Sequence, residues 1–562
     1  MLLALTGLTA GPAASATAPT YSVLIRGGTI YDGSGATPYV GDVALQGDKI
    51  AYVGPHAPGR GAKVIDATGK AVSPGFINML AHPEESLIAD GRGLSDVQQG
   101  VTLEILGEDS MGPLTPAMKV LARRRQGDIK YPISWTTLGQ YMTMLQRKGI
   151  SPNIASFVGA GTVRTNVLGE RDVQPNATQL AAMQRLVLQA MKEGALGATT
   201  ALIYSPNTYA KTPELIALAK VSARCGGIYS AHMRSEGDRL EEAIGETIAI
   251  AEASGGPAEI YHFKQAGRDN WGKFDKAVAM VEAARARGVR ITADMYTYTA
   301  GATGLDAAMP SWAQDGGLEA WIARLKDPAT RARVAAEMRD PHPKAWENLY
   351  AGAGPDGMLL EAFKNPKLKP LTGKTLAEVA KMRGKSPEET AMDLVVEDGS
   401  RVGVAYFLMS EDNIRKEVRL PWMSFGSDEE TPAPEGVFLL ANNHPRAYGN
   451  FARLLGRYVR DEKQVPLAEA IRRLTSFPAG NLSLRQRGSL KPGYYGDVVV
   501  FDPATITDHA TFDKPHQLAT GVDDLFINGV QVLKDGTHTG AKPGRFVRGP
   551  GWSGWPGGGA CH

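Results

Sequence analysis

Cysteine is nearly absent from this sequence. Its 562 residues hold two, Cys225 and Cys561, which excludes a disulfide framework and any Cys-x-x-Cys zinc pattern. A bound metal would therefore fall to histidine and carboxylate ligands. An excess of either charge is also missing. Against 61 Lys and Arg stand 59 Asp and Glu, a net +2, so nothing calls for nucleic acid or an acidic surface as partner. No apolar run past the first residues is long enough to span a membrane. With 43% apolar and 21% charged residues, the composition is that of a globular protein. The length exceeds one ordinary domain, although an α/β barrel with insertions absorbs most of it.

The first residues run apolar and end in Ala14-Ser-Ala16, which resembles the end of a secretory signal without its charged leading region. Segment 1–20 is therefore expected to be a leader. The expected location is periplasmic or secreted, and cytoplasmic otherwise.

Two histidine-bearing runs organise the middle: Ile228-Tyr-Ser-Ala-His232 and Glu259-Ile-Tyr-His262-Phe-Lys264. Between them a helical pattern, 240–254, closes at Gly255-Gly256-Pro257. Strand, helix and returning strand at this length form a βαβ unit. Either histidine alone is as well explained by core packing. As a pair at parallel strand ends they point to metal ligation. Further candidate strands are 75–81, 101–106, 154–159, 196–203, 290–295 and 423–425. With the two histidine strands these make eight, the number a closed (β/α)8 barrel needs. An insertion over about 311–420, rich in helical patterns, precedes the last strand and is expected to cover the barrel mouth. Short alternating strands fill 21–72 and 481–548, the second stretch with the hairpin signal Asn528-Gly529. They are expected to pair into one small β domain built from both termini, around a barrel of 73–480. The glycine-rich tail, 549–562, reads as irregular.

The expected strand ends carry His82, Glu108, Asp109, His232, His262, Asp294 and Asp428, which a barrel would bring to one mouth. Two imidazoles and a carboxylate form a hydrolytic zinc set with a position open to water. Asp428 suits proton transfer to a leaving amine.

These motifs resemble a family. Ser73-Pro-Gly-Phe-Ile-Asn78, Gly100-Val-Thr102, the histidine strands and Ser427-Asp428 look like the amidohydrolase superfamily. Ala293-Asp-Met-Tyr-Thr-Tyr-Thr-Ala-Gly301, Asn443-His-Pro-Arg-Ala-Tyr-Gly449 and Thr539-Gly-Ala-Lys-Pro-Gly544 resemble the N-acyl-D-amino-acid deacylases. The likeness covers about 21–549. It implies a distorted barrel with a β-sandwich, one or two zinc ions, and hydrolysis of an amide. His232 and His262 would be metal ligands and Asp428 the general acid/base. Lys264, Tyr296 and, less directly, Arg446 would bind a substrate carboxylate.

Two departures stand out. The superfamily's His-x-His is here Leu80-Ala-His82, and Asn78 replaces the usual Asp. Leu80 cannot ligate, so one tightly bound ion is expected, with His82 either coordinating or contacting substrate. Where such deacylases carry a cysteine ligand, this chain has Gly107-Glu108-Asp109-Ser110. Glu108 is favoured over Asp109 for its reach, and a hard carboxylate would admit Mn²⁺ or Co²⁺ beside Zn²⁺. The alternative for both acids is a solvated loop. The function expected is hydrolysis of N-acyl amino acids or related small amides bearing a carboxylate, with no nucleic-acid or membrane partner and with a homo-oligomer left open. Rival readings are a hydrolase of cyclic amides, lactones or xenobiotic amides on the same fold, and a non-catalytic relative that binds a ligand.

Overall fold

The computed structural model describes residues 19–561. Residues 1–18 of the expected leader lie outside the described residues. Two parallel sheets, one of six strands and one of three, form the barrel wall. They meet at Asn153–Ser156 and Val158–Gly159, two pieces of one strand interrupted at Phe157. The first piece pairs with Val101–Leu106 and the second with Gly197–Ala201. The other junction closes through main-chain bonds: Asp428 N–H donates to Leu80 O and His82 N–H to Glu429 O, both at 2.8 Å. The strands read as near-continuous buried runs such as Phe76–Ala81 and Ile228–His232, the pattern of a parallel sheet covered on both faces.

Strands from both chain ends build a nine-stranded sheet. The long strand Thr20–Ile30 pairs in parallel with Arg60–Asp66 along one half and with Ala71–Pro74 along the other. Val23, Val43, Leu45 and Val72 from one arm share a core with Val498 and Phe526 from the other. The expected sandwich is thus one continuous sheet curled over a shared core. Gly75 carries the chain from this sheet into the first barrel strand. A Cβ there would meet Thr102 Cγ2 at 2.1 Å, so glycine is what lets the Thr102 side chain pack against this crossing.

The insertion is not purely helical. Two of its segments, Met358–Ala362 and Gly403–Tyr406, join Gly301–Gly304, which precedes it, in a three-stranded antiparallel sheet over the mouth. Short glycine- and alanine-rich strands carry little alternation, which hid them in the sequence. Helices such as Pro328–Met338 and Pro387–Asp398 pack behind them.

The tail lacks helix and strand, as its glycines suggest, yet it is fixed. Gly549 N–H donates to Gly194 O at 2.9 Å and Ser553 N–H to Lys192 O at 3.0 Å. Cys561 is joined to Cys225 by a disulfide that spans 336 residues of sequence. Two cysteines could not make a framework, but they do make one cross-link. Cys561→Ser should lower unfolding stability by about 2–4 kcal/mol, read from the urea midpoint under non-reducing conditions. An unchanged midpoint would show that the tail adds no constraint.

Candidate metal centre

The C-terminal ends of the barrel strands surround a cavity of about 740 Å³ whose lining includes His82, Glu108, His232, His262, Lys264, Tyr296, Asp428 and Arg446. Three of these sit in the left-handed backbone region: Glu108 at φ 63°, His262 at φ 35° and Asp428 at φ 53°. Such a conformation costs a non-glycine residue roughly 1–2 kcal/mol, and clusters of it mark sites where side-chain aim outweighs backbone ease. Gly107 makes the first turn possible, since a Cβ there would meet Tyr261 Oη at 2.5 Å and Leu80 Cδ1 at 2.7 Å.

The turn swings Glu108 toward the barrel axis. Its Oε1 lies 2.9 Å from His232 Nδ1 and 3.0 Å from His262 Nε2. The two rings meet edge to face at 4.6 Å. Burial would raise the Glu108 pKa, but the neighbouring His232, His262 and His82 outweigh it and hold the carboxyl well below its ordinary range. Ligand atoms of Glu108, His232 and His262 all lie within 4.8 Å of one another, as do those of His82, Glu108 and Asp428. The 2.9 and 3.0 Å separations of Glu108 Oε1 from the two ring nitrogens are near those of neighbouring ligands on an ion with bonds of about 2.0–2.2 Å. The donors fit a divalent cation: two facing imidazole nitrogens and an anionic oxygen converge with no protein cation between them. Glu108 belongs to both clusters.

Asp109, weighed as the alternative ligand, is in neither cluster. Its Oδ1 accepts from Asn207 Nδ2 at 3.4 Å, because the positive φ of Glu108 sends consecutive side chains to different walls. His82 Nε2 donates to Asp428 Oδ1 at 3.1 Å and lies 3.9 Å from Glu108 Oε2. Burial opposes the charge on His82, yet the bond to Asp428 and the nearby carboxylates raise its pKa to about 10. Asp428 is likewise pushed up by burial and brought to about 2 by Arg446, His262 and His82. Arg446 Nη1 stands 2.9 Å from Asp428 Oδ2, and its guanidinium lies 4.3 Å over the Tyr296 ring.

Lys264, expected at a substrate carboxylate, is already engaged. Its Nζ donates to Glu236 Oε1 at 2.6 Å and lies 2.7 Å from His262 Nδ1. Glu236 Oε1 is also 2.9 Å from that Nδ1, so this buried pair fixes the ring whose other nitrogen faces Glu108. Asp294, at the end of its strand, does not touch an imidazole nitrogen among the described residues. It accepts instead from the His262 main-chain N–H, at 2.8 Å, and so holds the turn itself. Tyr296 lines the cavity, and its hydroxyl has no hydrogen-bond partner among the described residues.

Sequence reasoning missed Glu236, Arg401 and Glu361. Glu236 stands four places after His232, a spacing that could have been noticed. Arg401 and Glu361 come from the insertion, where no motif sets the register. Asn78 proves to be a clamp. Its Oδ1 accepts from Ser427 N–H, and its Nδ2 donates to Ser427 Oγ and Asp96 Oδ2, all at 2.8 Å. Leu80 is fully buried against Gly107 and Gly426, filling the position of the missing histidine with packing.

A parallel barrel whose mouth presents imidazoles and carboxylates around an open cavity defines a class of metal-binding hydrolases. Comparison with known proteins agrees. An amidohydrolase family model matches residues 63–536. D-aminoacylase of Alcaligenes xylosoxydans xylosoxydans is 30% identical over 536 residues, 94% of this chain and 97% of that protein. A solved structure of D-aminoacylase, from work on one-metal activation and second-metal attenuation in its binuclear centre, superposes with a TM-score of 0.76 at 30% identity, over 94% of this chain and all of that one. N-acyl-D-glutamate deacylase from Bordetella bronchiseptica, solved with zinc and a phosphonate mimic of the tetrahedral intermediate, gives 0.76 at 27% identity with the same coverage. The chain belongs to the amidohydrolase family.

Asn78→Ala leaves Ser427 N–H and Asp96 without their buried partner and should cost about 1–3 kcal/mol per orphaned group, measured by chemical denaturation. A variant as stable as the parent would remove Asn78 from this account.

Proposed function

We propose that this protein hydrolyses the amide of N-acyl amino acids, of the D series acted on by its deacylase relatives. One observation carries the reading: the Glu108 carboxylate between His232 and His262, with Asp428 and His82 across the same cavity. A divalent cation held by Glu108, His232 and His262 would supply a Lewis acid that polarises the carbonyl and lowers the pKa of water. Glu236 and Lys264 fix the ring of His262. Asp428, ionised at neutral pH through Arg446 and His82, takes a proton from water and returns it to the leaving nitrogen. Tyr296 offers a free hydroxyl to the substrate carboxylate. Arg446, stacked on that ring, adds positive charge, and Lys264 contributes at longer range because Glu236 already engages it.

The second cluster, His82, Glu108 and Asp428, lacks the ligand that Leu80 would have supplied. One ion is therefore held tightly and a second weakly. The hard Glu108 oxygen suits Zn²⁺, Mn²⁺ or Co²⁺. The Cys225–Cys561 disulfide supports an oxidising compartment, periplasmic or extracellular.

Two experiments test this reading. Asp428→Asn should lower kcat about 10²–10⁴-fold while metal content by elemental analysis stays unchanged; near-parental turnover would remove Asp428 from the role. After dialysis against metal-free buffer the parent should retain one ion per chain and Glu108→Ala none. Two equally retained ions would contradict the ranking of the clusters. The substrate class is read from paired N-acetyl-D- and L-amino acids with metal-loaded protein, and no hydrolysis of either series would overturn it.

A further inference from the structure

The wall of the cavity facing the insertion is short of cations. Glu361 lies on the insertion strand Met358–Ala362, where Met358 and Leu360 enter the core and the alternation turns Glu361 to the cavity. Its side chain is 6% exposed overall, and its carboxylate has no hydrogen-bond or ion-pair partner among the described residues. Without a partner, burial pushes this carboxyl well above its ordinary range, and a cation seated beside it in the working state would restore its charge.

The neighbours deepen the deficit. Glu84 and Glu430 line the same cavity, and their carboxylates also have no side-chain partner among the described residues. Glu429 accepts from the Glu430 main-chain N–H at 3.1 Å, and its nearest cation is Arg446 Nε, at 4.0 Å. Arg446 stands closer to Asp428, at 2.9 Å, than to any of these four carboxylates. Arg401, the other guanidinium of the cavity, is held by Asp306 at 2.7 Å. Carboxyls gathered in this way gain from a cation placed among them and offer an anion no partner.

We propose that Glu361, with Glu84, Glu429 and Glu430, forms a subsite for a positively charged group of the substrate. The preferred amide then carries an ammonium or guanidinium away from the scissile bond. This rests on the deacylase reading and sharpens it. The same wall opposes the second carboxylate of an N-acyl-D-glutamate, the compound class named for one relative. The cation has two chemical sources, a basic amino-acid side chain or an acyl group bearing an amine, and both place the charge remote from the reacting carbon.

The test compares kcat/KM of the metal-loaded protein on N-acetyl-D-lysine, glycyl-D-norleucine, N-acetyl-D-norleucine and N-acetyl-D-glutamate. At least one cationic substrate should exceed the neutral N-acetyl-D-norleucine by about tenfold or more, the scale of one hydrogen bond to a charged group. N-acetyl-D-glutamate should be poorest. Preference for lysine places the charge on the side chain, and preference for the glycyl compound places it on the acyl group. Glu361→Gln, a near-isosteric change, should shrink the cationic-to-neutral ratio several-fold. Should it fold poorly, the preference of the parent still decides, as does competitive inhibition of norleucine turnover by n-butylammonium. Turnover of the neutral compound with no cationic preference overturns the subsite and leaves the deacylase reading intact. No turnover of any of the four overturns both.

Discussion

The Glu108 carboxylate, set between two imidazoles by a left-handed turn, is the contact on which the site depends. It faces His232 and His262 with one oxygen and His82 with the other. Its negative charge survives burial only because those rings surround it. The turn needs Gly107, which lets Tyr261 and Leu80 close in behind it. The barrel core therefore dictates where the carboxylate points. Sequence composition, local strain and ligand geometry meet at this one residue.

Around it the fold holds each partner from a different strand. Asp294 fixes the main chain of His262, and Glu236 with Lys264 fixes its ring. Across the barrel seam, Asn78 grips Ser427, and Asp428 donates its N–H to Leu80 O. The bonds that close the barrel are thus the ones that place Asp428, the acid proposed for proton transfer. A barrel of this kind separates stability at one end from chemistry at the other, but here the closing seam serves both. Leu80 and Asn78 depart from the superfamily pattern, yet each has a physical role, one as packing and the other as a clamp. Their presence gives no reason to read the chain as a non-catalytic relative.

Much of this was legible in the chain. Strand-end histidines separated by a helix-length interval, eight strand-like runs and Ser427-Asp428 lead to the barrel and to its mouth. The choice of Glu108 over Asp109 rests on reach, and the structure groups Glu108, not Asp109, with the histidines. The partners of Lys264 could not be read, because Glu236 approaches it only once the two strands lie side by side. Glu361 and Arg401 stayed hidden because the insertion's register depends on tertiary packing and not on periodicity. The three-stranded sheet, made of glycine and alanine as much as β-branched residues, offered no alternation to detect. The pairing of Cys225 with Cys561 spans 336 residues, a separation at which composition says nothing about contact.

The site as a whole is asymmetric. One candidate ligand set, Glu108 with His232 and His262, is backed by Glu236, Lys264 and Asp294, whereas the other shares Glu108 and borders on packing at Leu80. The most direct measurement is anomalous diffraction at the zinc edge from zinc-loaded crystals. The account predicts a dominant peak about 2.0–2.2 Å from a Glu108 oxygen, His232 Nδ1 and His262 Nε2. A dominant peak elsewhere, or one there with Glu108 turned away from it, would contradict the account.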